Sequence, residues 1–284
     1  MGRYVTLPDG VQVPAIGQGT WFLGERKRSA AQEMEALASG IESGMSLIDS
    51  AEMYGDGKAE QLVGKVIREL DRSKLFLVSK VYPHHAGKPD IFKSCENSLR
   101  RMGTDYLDLY LLHWRGRVPL EETIACMEQL KKEGKIRRWG VSNFDTGDMQ
   151  ELWRIPGGQN CAVNQVLYHV ASRGIEYDLL PWMREHHMPV MAYCPLAQGG
   201  ALRHGLYESP VLKEIANNHH ATISQVLLAF TIRNGDVIAI PRSARKVHTL
   251  ENAQAGYLVL SGAELLQMDR AFPPPKKKIS LDIV

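Results

Sequence analysis

Four side chains with acid–base chemistry stand at or just beyond the ends of apolar runs in the first half of the chain. Asp49, Lys80 and His113 each close a run of strand length, and Tyr54 lies in the segment after Asp49. A phenol with a pKa of about 10 is a poor acid at neutral pH, but an adjacent ammonium favours the phenolate. The sequence therefore predicts that Lys80 lowers the pKa of Tyr54.

The same pattern assigns roles to the other two residues. Asp49 would keep Lys80 charged and in place, while His113 could donate to, or accept from, a substrate oxygen. Such a group serves proton transfer to a developing alkoxide, which is one half of a carbonyl reduction. Taken singly, a lysine at a strand end is usually solvated and an aspartate there is often a helix cap, so this interpretation depends on all four side chains sharing one rim.

A cationic segment near the end of the chain indicates where a hydride donor would bind. Several cations and a hydroxyl occupy a predicted helix start, which is where barrels often bind phosphate. Arginine forms bidentate bonds to phosphate, so Arg242 with Arg245 or His248 could read a ribose 2′-phosphate and prefer NADPH. A solvated basic helix start is the alternative. The segment is Ile240-Pro241-Arg242-Ser243-Ala244-Arg245-Lys246-Val247-His248.

Short apolar runs alternate with segments whose apolar residues recur at helical spacing. Near-continuous apolar strands of this kind indicate a buried parallel sheet. Gly44, Gly103 and Gly134 stand where helix C-caps belong. The predicted strands are Leu47-Ile48, Leu75–Val78, Leu107–Leu112, Ile136–Val141, Met188–Tyr193 and Val237–Ile240, with weaker candidates at Ala15-Ile16 and Ala162-Val163.

A separate hairpin is predicted at the start of the chain. Alternating residues from Val5 to Leu7 and from Val11 to Val13 flank the turn Pro8-Asp9-Gly10, which is a typical hairpin pattern. We expect this hairpin to cap the bottom of the main structure rather than to join its sheet.

A closed eightfold barrel and an open doubly wound sheet compete for this pattern. The GxGxxG motif of the open sheet is absent, because Gly17-Gln18-Gly19-Thr20-Trp21 lacks the third glycine. Polar residues end strands all along the chain, as expected where every strand points its carboxyl end to one face. We therefore predict an α/β fold, a (β/α)8 TIM barrel spanning residues 1–284 as one domain. The polar strand ends are Asp49, Lys80, His113, Ser142 with Asn143, Gln165 and Arg242.

Composition excludes several classes of protein. Of 284 residues, 44% are hydrophobic and 23% charged, and the formal net charge is +2, so nucleic acid is not an expected partner. No segment approaches the roughly 20 apolar residues of a membrane helix, so no membrane association is expected. The cysteines form no CxxC pair, which fits a reducing, cytoplasmic location. They are Cys95, Cys126, Cys161 and Cys194.

A metal-dependent barrel hydrolase is the rival enzyme class, because Asp49 and His113 could be ligands. Neighbouring histidines point apart on a strand or helix, however, and no HExxH spacing occurs. We therefore predict no metal site. The histidine pairs are His84-His85, His186-His187 and His219-His220.

The order of these motifs resembles the aldo-keto reductases over essentially the whole chain, and among them the bacterial methylglyoxal-type aldehyde reductases. The motifs follow one another at successive strand ends. They are Asp49-x-Ala51-x-x-Tyr54-Gly55, Lys80, Leu111-Leu112-His113-Trp114, Gly140-Val141-Ser142-Asn143-Phe144, Asn164-Gln165, Tyr193-x-Pro195-Leu196 and Ile240-Pro241-Arg242.

The resemblance implies that Asp49, Tyr54, Lys80 and His113 form a catalytic tetrad in which Tyr54 is the general acid. It also implies NADPH as cofactor, with NADH as a further candidate, since His248 stands where the family often has arginine and a neutral imidazole holds phosphate less firmly. Arg245 could compensate. Ser142, Asn143 and Gln165 would bind the nicotinamide carboxamide, Tyr193 would stack on its ring, and Arg242, Ser243, His248, Glu251 and Asn252 would grip the 2′-phosphate and adenine. The other implied cofactor contacts are Gly19, Thr20, Trp21, Asp49, Pro195, Leu196 and Ile240.

The implied substrate pocket is lined by Trp21, Tyr54, His113 and Trp114, with the segment after Arg270 folding over its mouth. Short flanking loops favour an open pocket for small aldehydes and ketones, including α-ketoaldehydes such as methylglyoxal. The resemblance implies a monomer. A cofactor-binding regulatory or redox-sensor subunit with little turnover is the alternative function.

Overall fold

The computed structural model describes residues 2–25, 29–197 and 200–284, with backbone alone for 200–202. After an N-terminal hairpin of β1 and β2, strands and helices alternate along the chain. The strands are β1 Tyr4–Thr6, β2 Gln12–Pro14, β3 Gln18–Gly19, β4 Leu47–Asp49, β5 Phe76–Val81, β6 Leu109–Leu112, β7 Trp139–Ser142, β8 Cys161–Leu167, β9 Val190–Tyr193 and β10 Val237–Ala239. The helices are α1 Ala30–Glu42, α2 Lys58–Ile67, α3 Asp90–Met102, α4 Leu120–Lys132, α5 Thr146–Arg154, α6 Leu179–Glu185, α7 Gly200–Glu208, α8 Pro210–Asn218, α9 Ile223–Thr231, α10 Lys246–Gln254 and α11 Gly262–Ala271.

Strands β3 to β10 form one parallel sheet in chain order, and backbone hydrogen bonds join its first and last strands. Gly17 N donates to Ala239 O at 2.9 Å, and Ala239 N donates to Ala15 O at 2.8 Å. Gly19 N donates to Pro241 O at 3.0 Å. The sheet therefore closes on itself, and the predicted (β/α)8 barrel is confirmed.

The first barrel strand differs from the prediction. A strand was expected at Ala15-Ile16, whereas β3 lies at Gln18–Gly19 and Ile16 keeps only an isolated bridge to Ala239. Close packing explains why glycines stand here, since a Cβ on Gly17 would lie 2.6 Å from the Leu47 side chain. Pairing of β3 with β4 thus begins two residues beyond the apolar run that a sequence pattern detects.

Successive side chains of each barrel strand point to opposite faces of the sheet, which gives two apolar layers. Side chains such as Val78, Leu109 and Leu111 fill the barrel interior, whereas Leu77 and Leu112 face the surrounding helices. The hairpin closes the interior from below, because residues of β1 and β2 and the turn between them join the interior cluster. These are Val5, Leu7 and Val13, each at most 2% exposed.

The helix ends agree with the glycine prediction. Gly103 caps α3, and Gly44 and Gly134 each follow the cap residue of α1 and α4. All three have positive φ angles, between 67° and 91°, where glycine carries no Cβ penalty. Among the described residues, no helix is both long and apolar enough to cross a membrane.

Candidate active site

Lys80 is the centre of a polar cluster at the carboxyl rim of the barrel. Its Nζ donates to Asp49 Oδ2 at 2.7 Å, to the Ser50 carbonyl at 2.8 Å and to the Tyr54 phenol oxygen at 3.0 Å. All three acceptors belong to the end of β4 or the loop after it, and Lys80 reaches them from the neighbouring β5. Lys80 is fully buried, so its ammonium makes hydrogen bonds to three protein acceptors instead of water, one for each N–H.

The proton of Tyr54 must point away from Lys80. An ammonium only donates hydrogen bonds, so the phenol oxygen accepts from Lys80 and its own O–H is directed elsewhere. The rings beside Tyr54 are those of His113, with centroids 5.8 Å apart, and Trp21, with centroids 6.3 Å apart. The phenol can therefore offer its proton to a molecule bound among these rings.

The pKa of Tyr54 lies above its ordinary value in the folded chain, so burial outweighs the lowering predicted from Lys80. Burial raises the pKa of Tyr54 well above its ordinary value of 10.0, and Asp49 and Cys194 raise it further. Asp49 lies 2.7 Å from Lys80, so Tyr54 faces a desolvated ion pair rather than an isolated ammonium. Tyr54 therefore keeps its proton at neutral pH, as a proton donor must.

Burial also acts on the two basic members of the cluster. It lowers the pKa of Lys80, and the charges of Asp49 and Glu60 oppose that effect. Burial and, after it, the charge of Lys80 lower the pKa of His113 to about 2. His113 is therefore neutral at neutral pH, with one ring nitrogen able to donate and the other to accept. Its Nδ1 is buried and has no partner among the described residues.

Amide and hydroxyl groups on the next strands face the same rim. Gln165 Nε2 donates to Asp49 Oδ1 at 2.8 Å, which leaves the side-chain carbonyl of Gln165 as an acceptor. Ser142 Oγ donates to the Gln165 backbone carbonyl at 2.8 Å. Asn143 has a left-handed φ of 59° and its Oδ1 accepts from Tyr193 OH at 2.8 Å. The side-chain carbonyl of Gln165 is thus an oriented acceptor that suits the N–H group of a carboxamide, whereas the Asn143 amide donates to the His113 carbonyl at 3.2 Å and to Ser142 Oγ at 3.3 Å.

Cations cluster where β10 gives way to α10. Arg242 and Arg245 are exposed, and neither has an ion pair within the described ranges. Ser243 Oγ accepts from Arg245 N at 3.1 Å and donates to its carbonyl at 2.9 Å, which shapes the turn before the helix. The first N–H groups of α10 and two free guanidinium groups suit an anion such as a phosphate.

The other residues predicted to contact the cofactor differ in their burial and in their hydrogen-bond partners. Thr20 Oγ1 donates to the Asp49 carbonyl at 2.9 Å, and Gly19 forms an isolated bridge with Arg242. His248 is exposed and contacts Glu251 at 3.2 Å, whereas Asn252 on the same helix is 4% exposed. Pro195 and Ile240 are buried, and Leu196 is half-buried.

Aromatic rings surround the mouth of the barrel beside Tyr54. Trp114 is 37% exposed, with its ring centroid 4.9 Å from that of His113. Trp21 is half-buried and stacks on Phe22 at 4.5 Å. All four predicted substrate-lining residues are therefore adjacent, and their rings surround the proton donor.

The C-terminal segment crosses the same face. Lys278 lies 3.1 Å from Asp178, just before α6, and the Asp282 carboxylate accepts from Ser172 Oγ after β8. Ile279 packs so closely on Gly174 that a Cβ there would lie 2.8 Å from it. The segment after Arg270 is thus held over loops that follow barrel strands.

Sequence reasoning missed the second carboxylate near Lys80. Glu60 is fully buried on α2, and its Oε1 accepts from Ser79 Oγ at 2.6 Å. A charged residue on the buried face of a helix was the available signal, since Ala59, Val63 and Ile67 share that face. No group of three or more His, Cys, Asp or Glu side chains suitable for a metal ion occurs in the part of the chain that is described.

A closed parallel barrel with a lysine-centred proton-donating cluster at its carboxyl rim defines an α/β-barrel oxidoreductase. Residues 15–272 match the Aldo/keto reductase family. The chain is 57% identical to methylglyoxal reductase YeaE of Escherichia coli over 99% of both chains, and 33% identical to glyoxal reductase of Bacillus subtilis over 93% and 91%. An aldo/keto reductase of Klebsiella pneumoniae, solved with NADP and acetate, has a TM-score of 0.97 at 57% identity and full coverage of both chains. The chain belongs to the aldo/keto reductase family.

Proposed function

We propose that this protein reduces small aldehydes and ketones, including α-ketoaldehydes such as methylglyoxal, to alcohols with NADPH. The observation that carries the proposal is the 3.0 Å contact from Lys80 Nζ to the phenol oxygen of a protonated, buried Tyr54. The methylglyoxal and glyoxal reductases among its relatives support this substrate class.

NADPH, when bound, supplies the hydride. Ser142, Asn143 and Gln165 would hold its carboxamide, Tyr193 would stack on its ring, and the Arg242 segment would hold its phosphate. Neutral His113 would orient the substrate carbonyl by donating to its oxygen. Tyr54 would give its proton to the same oxygen, and the phenolate left behind would be stabilised by Lys80, which is paired with Asp49.

The regulatory or redox-sensor alternative receives no support from the site, because the proton-donating cluster is intact. Four further expectations stay predictions: one domain over residues 1–284, a monomer, a cytoplasmic location and no nucleic-acid partner.

The test is consumption of NADPH, and separately of NADH, by the purified protein with methylglyoxal. We expect turnover with NADPH, and a fall in kcat of about 10²- to 10⁴-fold in Tyr54→Phe, the range for loss of a general acid. Tyr82→Phe is the matched control, because Tyr82 is half-buried at the next strand end, 6.0 Å from Trp114. Turnover in Tyr54→Phe close to that of Tyr82→Phe would refute the assigned role.

A further inference from the structure

We propose that Glu60 and Arg101 are positioning residues for proton donation: they extend the Asp49–Lys80 pair into a row of alternating charges that keeps Lys80 an ammonium beside Tyr54. This inference rests on the proposed function. It concerns a cluster on the outer side of the barrel wall, between β5 and the helices α2 and α3.

Strand alternation places this cluster directly behind Lys80. In β5, Lys80 points into the barrel rim and Ser79 points outward, where its Oγ donates to Glu60 Oε1 at 2.6 Å. Glu60, Ser79 and Lys80 are all fully buried. A buried carboxylate is retained in a fold only when it is paired and hydrogen-bonded, so Glu60 requires a cation.

Arg101 supplies that cation from α3. Its Nε donates to Glu60 Oε2, and its NH2 donates to Ser98 Oγ at 3.3 Å. The outer end of Arg101 lines a polar cleft of about 350 Å³. Its side chain also passes Gly57 so closely that a Cβ there would lie 2.4 Å from Arg101 Cδ. Gly57 has a φ of 83° and stands in the loop that carries Tyr54, so Arg101 supports both Glu60 and that loop.

The charges alternate from the surface to the reaction centre: Arg101 is positive, Glu60 negative, Lys80 positive and Asp49 negative. Burial works against the Lys80 ammonium and lowers its pKa, while Asp49 and, after it, Glu60 raise it. The second carboxylate therefore adds to what Asp49 does. An ammonium in a desolvated site needs such support to keep its proton.

Charged side chains surround the outer end of this row, where Glu52, Asp56, Asp90 and Lys93 line the cleft beside Arg101. The groups nearer Lys80 are uncharged at pH 7. Tyr54 and His113 face Lys80 from the barrel side, with the pKa of the first raised and that of the second lowered. Cys95 of α3 and Tyr110 of β6 face Glu60, and burial raises the pKa of both. Asp49 and Glu60 are thus the charges that support the Lys80 ammonium, and Arg101 acts on Lys80 through Glu60.

The test compares Glu60→Gln with wild type by two readouts. The first is the pH profile of kcat with methylglyoxal and NADPH, in which we expect the alkaline limb to move down by about one pH unit while KM for NADPH is unchanged. The second is the titration of the Lys80 Nζ resonance by NMR in ¹⁵N-lysine-labelled protein, assigned with Lys80→Met. We expect its midpoint to fall by a similar amount.

Asp108→Asn is the matched control. Asp108 Oδ2 accepts from Arg72 NH2 at 2.7 Å and from Leu77 N at 2.9 Å, so it is also a carboxylate paired with arginine, but at the opposite end of β5. We expect it to lose stability without moving either profile. Arg101→Lys, which keeps the charge, should retain the wild-type alkaline limb. Arg101→Met should resemble Glu60→Gln, because a buried carboxylate that loses its cation is expected to take up a proton and no longer support the ammonium.

The outcomes separate this inference from the proposed function. If the titration midpoint of Lys80 in Glu60→Gln equals that of wild type, the inference is overturned, even if the variant is less stable. A Glu60–Arg101 pair that only stabilises the fold would give that result. Absence of turnover in wild type overturns the proposed function, and the NMR titration still decides the role of Glu60. If Glu60→Gln does not fold, the comparison of Arg101→Met with Arg101→Lys decides it.

Discussion

Asp49→Asn should destabilise the fold as well as stop proton donation. The carboxylate uses both oxygens, with Oδ2 accepting from Lys80 at 2.7 Å and Oδ1 from Gln165 Nε2 at 2.8 Å. The side chains of Lys80 and Asp49 are 0% and 3% exposed. An asparagine has one oxygen for these two donors, so one donor loses its partner, and Lys80 loses the carboxylate charge nearest to it.

Two estimates of the free energy of unfolding lost in Asp49→Asn agree in size. Breaking a buried ion pair by removing one partner costs about 3–5 kcal/mol. Lys80 could instead lose its proton. At pH 7 this costs at most about 5 kcal/mol, because each pH unit between 7 and the ordinary lysine pKa of about 10.4 contributes roughly 1.4 kcal/mol. At about 2–4 °C for each kcal/mol, we expect the Tm to fall by roughly 6–20 °C.

Urea unfolding followed by circular dichroism would measure this loss, with Lys80→Met and the double variant alongside. Removing both partners of a buried pair is far less costly than removing one, so Asp49→Asn/Lys80→Met should be more stable than the sum of the single changes predicts. Additive losses across this cycle would show that the two side chains do not stabilise the fold as a pair, and the assigned electrostatics of the site would then be wrong.

Two further predictions concern His113 and Arg242. The pKa of His113 is about 2 in the folded chain, against an ordinary value of 6.5. Between these two pH values only the unfolded chain binds a proton at His113. The stability that the neutral ring gives the fold is therefore complete above pH 6.5 and declines as the pH falls below it. Between pH 7 and pH 5 wild type should lose about 2 kcal/mol more than His113→Asn in urea unfolding, and equal losses would contradict the assignment. Arg242→Ala should weaken NADPH binding about 10- to 100-fold, the value of one charge-assisted bond, with much less effect on NADH, as measured by tryptophan fluorescence quenching. The control is Arg68→Ala, at an exposed arginine that directly follows α2. Equal weakening of both cofactors in Arg242→Ala would exclude a 2′-phosphate contact.

The residues at strand ends could be predicted from sequence because parallel topology alone brings them together. Once Asp49, Lys80 and His113 are recognised at the ends of consecutive strands, a closed parallel sheet requires that they share a rim. The position of β3 was harder to predict from the sequence. Its pairing depends on glycines that let backbones approach, such as Gly19, whose Cβ would lie 2.8 Å from Ile240 O, and no apolar pattern records that approach.

Burial explains the two features of the site that sequence reasoning got wrong or missed. The pKa of Tyr54 depends on desolvation by the whole barrel rim, which outweighs any neighbour that a motif can identify. Glu60 escaped notice because a charged residue in a helix is usually solvated, and its role depends on contact with Ser79 and Arg101 from other elements. Both features follow from tertiary packing rather than from local pattern.

The raised pKa of Tyr54 keeps the proton on the phenol until a substrate is bound. Had Lys80 outweighed burial and brought this pKa down to neutrality, the phenol would lose its proton before a substrate arrived. With Lys80 Nζ donating to the phenol oxygen at 3.0 Å, its charge acts most strongly once that oxygen becomes negative, which is when the proton has moved to the substrate. Stabilisation confined to charge that develops during the reaction lowers the barrier, whereas equal stabilisation beforehand does not. That benefit requires Lys80 to be an ammonium throughout, and this is why the carboxylates on both sides of it, Asp49 and Glu60, matter to the chemistry at Tyr54.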